Sequence, residues 1–276
     1  MTETPRTGSV LGARGLDLGY ASRPIIRDLD LDLIDGSFTV IVGANGSGKS
    51  TLLRGLARVL KPTSGEVLLD GRAVQTYSSK QIARRLGLLP QSQVAPDAIG
   101  VADLVARGRY PHQSLLRQWS RADAEAVQEA LRLTGTAELA ERPFDELSGG
   151  QRQRVWIAMA LAQQTDLLLL DEPTTFLDLA HQLEVLDLCA RMRAERGTTL
   201  VAVLHDLNLA SRYATHVIAM RDGAIVAEGA PETVVTAELV EQVFGLRCRV
   251  IPDPESGTPL VIPRHLPHIT ERDTAP

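Results

Sequence analysis

Nine consecutive residues, Gly43-Ala44-Asn45-Gly46-Ser47-Gly48-Lys49-Ser50-Thr51, fit the pattern G-x-x-x-x-G-K-S/T and follow the apolar run Phe38-Thr39-Val40-Ile41-Val42. A strand, a glycine turn and a helix opening at Lys49 form a phosphate cradle. Glycines let backbone N–H groups curl round phosphate oxygens, and the helix adds its positive end. Lys49 then reaches the β- and γ-phosphates, the Ser50 hydroxyl is placed for Mg²⁺, and Thr51 adds a hydroxyl near the α-phosphate. The chain has three lysines, so a chance match is on the order of one in a few hundred. Nucleotide binding is the working expectation.

Four further stretches carry groups suited to phosphate chemistry. Leu167-Leu168-Leu169-Leu170-Asp171-Glu172 is an apolar strand ending in two carboxylates, and adjacent strand residues point to opposite sides, so the two acids need different roles. One can hold Mg²⁺ through water while the other polarises an attacking water; taken alone, Asp-Glu-Pro is also a capped turn. Leu147-Ser148-Gly149-Gly150-Gln151 opens a helix with anion-binding geometry. His205 follows the strand Thr199 to Leu204, and Gln91 follows Leu86 to Pro90. Both lie at carboxyl ends of strands, where open α/β sheets bind ligands. By residue type alone His205 is an ordinary helix-start residue and Gln91 a solvated loop residue or a metal and water contact. Tyr20 is either a packing residue or a face for adenine.

The elements that must position these groups follow from periodicity. Residues Val10 to Leu33 alternate apolar and polar positions, with Leu29, Leu31 and Leu33 on one face and Tyr20 in the turn, and read as antiparallel strands. The helix after the phosphate loop extends through Leu60 to Lys61-Pro62, and Glu66 to Gly71 gives a short strand. From Ala95 to Glu146 helical periodicity marks an all-helical insert, whose loop Arg107 to Gln113 is a partner surface or simply solvated. An amphipathic helix runs through Val155 and Leu161, another spans Leu179 to Arg196, and Asp222-Gly223 turns a final hairpin. Prolines after Phe244 forbid a long helix in the tail.

Composition narrows the function classes. A 276-residue chain with 44% hydrophobic residues supports a sizeable core, and a formal net charge of -5 argues against broad nucleic-acid binding. No apolar run approaches the roughly 18 residues that cross a bilayer. The start, Met1 to Arg6, lacks the basic and apolar segments of a secretion signal, so residence in the cytoplasm is expected. Cys189 and Cys248 have no partner at metal-ligand spacing and read as inert thiols. No internal repeat or second phosphate loop is present.

The ordered set Gly43–Thr51, Gln91, Leu147–Gln151, Leu167–Glu172, Asp178 and His205 resembles the motifs of ATP-binding-cassette (ABC) ATPases, and the match runs nearly through Phe244. The resemblance implies an α/β P-loop NTPase fold with a mixed, largely parallel sheet, an antiparallel β subdomain and a helical insert. It places an ATPase domain at 1–250, its helical subdomain at about 95–163 and a tail at 251–276. It makes Tyr20 the adenine platform, Gln91 the metal and water contact that senses a membrane partner, Asp171 the Mg²⁺ residue, Glu172 the base and His205 the γ-phosphate switch. Ser148, Gly149 and Gly150 would bind the γ-phosphate of ATP held by a second subunit of a head-to-tail homodimer, with Gln151 and Asp178 also among the nucleotide-binding residues. Thr175-Phe176-Leu177-Asp178 departs from the Ser-Ala-Leu-Asp of many cassettes, with Phe176 bulkier than the usual alanine. The implied cofactors are ATP and Mg²⁺. The implied place is peripheral, on the cytoplasmic face of the plasma membrane, with transmembrane permease subunits and, indirectly, an extracytoplasmic solute-binding protein as partners, and no nucleic acid. The stretches Val105 to His112, Arg142 to Arg154 and Leu204 to Ala210 look most like iron(III)-siderophore importers, with haem, vitamin B12 and other metal-chelate importers as neighbours and a soluble non-transport cassette behind them.

Overall fold

The computed structural model describes residues 9–20, 23–113 and 119–264; the readings of the N-terminal start and of the chain beyond residue 264 lie outside it. In chain order the elements are β1 Ser9–Tyr20, β2 Arg23–Ile34, β3 Phe38–Gly43, α1 Lys49–Leu56, β4 Ser64–Leu69, β5 Arg72–Ala73, α2 Ser79–Ala83 and β6 Leu86–Leu89. There follow α3 Val101–Ala106, α4 Arg121–Leu133, α5 Gly149–Ala162, β7 Leu167–Asp171, α6 Leu179–Arg196, β8 Thr199–Val203 and α7 Leu207–Tyr213. The chain closes with β9 His216–Arg221, β10 Ala224–Gly229, α8 Pro231–Val234, α9 Ala237–Phe244, β11 Cys248–Pro252 and β12 Pro259–Pro263.

The main sheet has the order β10-β9-β3-β8-β7-β6. Its strands β9, β3, β8, β7 and β6 are mutually parallel, and β10 is an antiparallel edge. Strands β3, β7 and β8 are buried along their whole length, which is why they read as unbroken apolar runs. Their period-2 alternation divides two cores. Leu168, Leu170, Leu200 and Ala202 face α3, α5 and α6, while Leu167, Leu169, Val201 and Val203 face α1 and the antiparallel sheet. That second sheet, β2-β1-β4-β5, turns Leu29, Leu31 and Leu33 inward on alternate positions.

Three local readings change. Helix α1 stops at Leu56 rather than Leu60, because Arg58 takes a φ of +59° before Lys61-Pro62. Helix α5 is not amphipathic: Gln153, Val155, Trp156, Ile157, Ala158, Ala160 and Ala162 are buried around it, since it is packed by both α3 and α4. The loop 107–113 is no solvated charge cluster, because Arg109 is only 5% exposed and bonds Asp123 Oδ1 (2.8 Å), Ala162 O (2.7 Å) and Gln164 Oε1 (2.9 Å). Gly108 packs so tightly that a Cβ there would sit 2.2 Å from Met159 O. Of that loop, Tyr110 presents an exposed ring.

Candidate functional site

Each of the four adjacent strands β3, β8, β7 and β6 delivers one motif at its carboxyl end. The phosphate loop follows β3, His205 follows β8, Asp171-Glu172 ends β7, and Gln91 follows β6. The register aligns these ends, since Ile41 and Asp171 both pair with Val203, and Leu89 pairs with Leu170. A cleft of about 390 Å³ opens there, lined by Asn45, Gly46, Gly48, Lys49, Ser50, Thr51, Gln91, Glu172 and His205, with Arg23 and Ile25 from β2.

The loop's geometry depends on glycine at its first position. A Cβ on Gly43 would stand 2.3 Å from Met220 O and 2.7 Å from Ser47 Oγ, so no other residue fits without moving backbone. The turn after β9 braces the loop from outside, with Gly223 N–H donating to Ser47 O at 3.0 Å. Helix α1 starts at Lys49 with no side-chain cap, which leaves its first N–H groups for an anion. The buried Lys49 ammonium donates to Gly43 O (2.8 Å) and Ala44 O (3.0 Å). Burial lowers its pKa, opposed by the charges of Glu172 and Asp171.

The two carboxylates occupy different depths. Asp171 is 1% exposed behind Ser50, whose Oγ donates to Asp171 Oδ1 at 2.8 Å, while Asp171 Oδ2 is buried without a partner. Burial raises its pKa, against the Ser50 hydrogen bond. A hydroxyl, a carboxylate oxygen lacking a partner and the Gln91 amide are hard oxygen donors, the set that suits Mg²⁺ when substrate phosphates and waters complete the shell. No group of three or more His, Cys, Asp or Glu side chains able to hold a metal occurs among the described residues. Glu172 has a φ of +55°, so the chain leaves the strand there and its side chain enters the cleft. Its Oε1 lies 2.8 Å from His205 Nε2, and its Oε2 accepts from Thr175 Oγ1 at 3.2 Å. Burial pushes the Glu172 pKa up, but hydrogen bonds from His205, Gln91 and Thr175 and the charge of His205 outweigh it and hold it below the usual glutamate range.

A second concavity, about 270 Å³, gathers Ser148, Gly150, Gln151, Arg154, Phe176, Leu177, Asp178 and His181. Ser148 and Gln151 form a capping box at the start of α5: Ser148 Oγ accepts from Gln151 N (3.3 Å) and Gln151 Oε1 from Ser148 N (3.0 Å). The Ser148 hydroxyl proton is left free for an anion. Asp178 caps α6 through His181 N at 3.0 Å and also meets His181 Nδ1 at 2.7 Å. Phe176 does not pack inward. It is 79% exposed at a φ of +67°, with its Cβ beside Gly149. The two concavities are separate within one chain. A larger hollow of about 770 Å³, between Arg132, Arg154, Glu184 and Arg191, contains none of the phosphate-loop residues.

Tyr20 lies outside the cleft lining, at the end of β1, 44% exposed, with its hydroxyl accepting from Arg54 Nη1 at 3.2 Å. Arg23 and Ile25 of β2 line the cleft. Sequence reasoning missed them, although the i, i+2 spacing on β2 put both on one side. It also missed Thr175 and Gln153, whose Nε2 donates to Pro173 O at 3.0 Å and ties α5 to the turn after β7.

A parallel sheet with a glycine loop, a buried Ser–Asp pair and a Glu–His pair at neighbouring strand ends defines a P-loop nucleoside triphosphatase. The chain matches the family model "ABC transporter" over residues 26–175 and belongs to that family, whose cassettes hydrolyse ATP. It is 55% identical to the ferric enterobactin transport ATP-binding protein FepC of Escherichia coli (strain K12), covering 93% of this chain and 96% of that one. It is 40% identical to the hemin import ATP-binding protein HmuV of Rhodococcus jostii (strain RHA1), covering 94% and 88%. The dimeric structure of the bacterial ABC transporter cassette MJ0796 superposes with a TM-score of 0.72 at 26% identity, covering 80% of this chain and 98% of that one. Among the described residues, no helix is long and apolar enough to cross a membrane.

Proposed function

We propose that this chain is the ATP-hydrolysing subunit of an importer for iron(III)-siderophore complexes, working as a head-to-tail homodimer on separate transmembrane permease subunits. The observation that carries the reading is the convergence of Lys49, Ser50, Asp171, Glu172, His205 and Gln91 on one cleft at four neighbouring strand ends. The difference between 55% identity to a ferric enterobactin protein and 40% to a hemin protein favours the siderophore over haem. In this reading the chain sits peripherally on the cytoplasmic face of the plasma membrane, is served indirectly by an extracytoplasmic solute-binding protein, and binds no nucleic acid.

The proposed chemistry needs charge neutralisation and an oriented water more than covalent steps. Gly43 to Thr51 cradle the phosphates of ATP, and Lys49 exchanges its two carbonyl partners for β- and γ-phosphate oxygens. Ser50, Asp171 and Gln91 would hold Mg²⁺, which supplies further neutralisation of the phosphate charge. Glu172, kept ionised by its hydrogen bonds, takes a proton from the attacking water, while His205 orients it toward the γ-phosphate. Ser148, Gly149, Gly150 and Gln151 of the second copy complete the site, with Asp178 at the contact. Tyr20 is the adenine platform, its half-exposed ring next to α1. The division into a body over 1–250, a helical subdomain at about 95–163 and a tail from 251 belongs to the same proposal; β11 runs across residue 250.

Deleting the gene is expected to slow growth under iron starvation and abolish uptake of a radiolabelled ferric siderophore, with rescue by wild type but not by Lys49→Ala. Unchanged uptake of every ferric chelate, with loss of haem or vitamin B12 uptake, would move the assignment to those cargoes.

A further inference from the structure

His205 stands on a short connection between the end of β8 at Val203 and the start of α7 at Leu207. A seven-residue helix has too few internal bonds to fix its own direction. The groups that grip its first turn therefore set where His205 points. Asp206 caps that turn, its Oδ1 accepting from Asn208 N (2.8 Å) and Leu209 N (2.9 Å). Leu207 wedges between the main core and a small cluster of Val235, Val240, Cys248 and Val261. Asn208 reaches sideways to the C-terminal hairpin, where Nδ2 donates to Val261 O at 3.3 Å and Oδ1 accepts from Val261 N at 2.7 Å.

This two-point contact has a geometric reason. In an extended strand the N–H and C=O of one residue point to the same side. Val261 pairs with Val250 on β11 and turns both groups outward, along the free edge of β12. A primary amide carries one donor side and one acceptor side in a plane, so Asn208 completes the edge as a neighbouring strand would. The pairing is local to one side chain and joins the hairpin to the first turn of α7 at Asn208, three residues after His205.

We infer that Asn208 is a positioning residue: by clamping the first turn of α7 to the β11–β12 hairpin, it holds His205 at its 2.8 Å contact with Glu172 and makes the C-terminal hairpin a support of the ATPase site. The inference rests on the reading that His205 and Glu172 act at the γ-phosphate.

The test uses the full-length chain with Mg-ATP, comparing kcat, KM and thermal unfolding for His205→Ala, Asn208→Ala, Asn208→Asp and Val261→Ala. Asn208→Ala is expected to lower kcat about tenfold while KM for ATP changes less than about twofold, the split of a group that orients the reacting arrangement rather than binding substrate. Asn208→Asp keeps the acceptor for Val261 N–H and should fall between it and wild type. Val261→Ala keeps the backbone partners and should retain wild-type kcat. Loss of activity in His205→Ala with wild-type kcat in Asn208→Ala would overturn the clamp alone. Wild-type kcat in His205→Ala would overturn the site reading on which it stands. A kcat loss in Val261→Ala equal to that in Asn208→Ala, tracking the thermal midpoint, would show general loosening and also overturn the clamp.

Discussion

Arg109→Ala is expected to be among the most destabilising substitutions in the helical insert, although the residue sits in a loop that composition marks as solvated. Its guanidinium and the Asp123 carboxylate are 6% and 5% exposed and 2.8 Å apart. The same side chain bonds Ala162 O at the end of α5 and Gln164, so one residue ties α4, α5 and the turn after α3 together. Removing it leaves a buried carboxylate held by Ser120 alone and a carbonyl short of a donor. Breaking a buried pair from one side costs about 3–5 kcal/mol. At roughly 2–4 °C per kcal/mol for a chain of this size, the thermal midpoint should fall by on the order of 10 °C. Arg121→Ala is the control, because the Arg121–Glu125 pair is 93% and 59% exposed and should contribute about 0.5 kcal/mol or less. The sign with pH follows from Asp123. Burial pushes its pKa up, but hydrogen bonds from Ser120 and Arg109 hold it below the usual aspartate range. A depressed folded value gives stabilisation that is present above the unfolded value and lost as pH falls through the folded one. The gap between wild type and Arg109→Ala should therefore be widest near neutrality and shrink in acid. Equal midpoints for Arg109→Ala and Arg121→Ala would show that the buried Arg109–Asp123 pair contributes no more than the exposed Arg121–Glu125 pair.

Lys49→Ala should abolish ATP hydrolysis, since the cleft then lacks the ammonium that compensates the β- and γ-phosphates; near wild-type turnover in the purified variant would contradict that role. His205→Ala removes a hydrogen bond and a charge that lower the Glu172 pKa, leaving only the Gln91 and Thr175 hydrogen bonds against burial, so the acid limb of residual kcat against pH should move to higher pH. An unmoved limb would take Glu172 out of the titration. Gly108→Ala drives a methyl toward Met159 O and should cost about 1–3 kcal/mol in denaturant unfolding; full stability with lost uptake would instead make Gly108 part of a permease groove.

Local signals sufficed where one element carries its own boundary marks. Helix α6 spans Leu179–Arg196 as its pattern indicates, because Asp178 caps one end and Gly197, at a φ of +66°, closes the other. The buried strands and the glycine loop were legible for the same reason: their residue types answer to strand burial and backbone shape. What was hidden depends on distant partners. Nothing in the sequence neighbourhood of Arg109 announces Asp123 and Ala162, so a buried ion pair reads as a charged loop. The opposite sides assigned to Asp171 and Glu172 became two depths of one cleft, since the positive φ at Glu172 ends the strand alternation. Phe176 faces outward beside Gly149, a placement set by backbone conformation rather than by its bulk. The β11–β12 hairpin lies in a proline-rich stretch where prolines occupy strand ends, positions that need no ladder donor.

In the proposed dimer the Lys49 cleft of one copy and the Ser148 concavity of the other close around ATP. Glu172→Gln tests this closure most directly, because the amide keeps the side chain's shape and its contact with His205 but cannot take the proton of the attacking water. Light scattering of this variant with saturating Mg-ATP should give the mass of two chains with turnover stopped, and adding Ser148→Arg should return it to one. A variant that stays monomeric at saturating ATP, or that dimerises equally well with Ser148→Arg, would contradict the shared site.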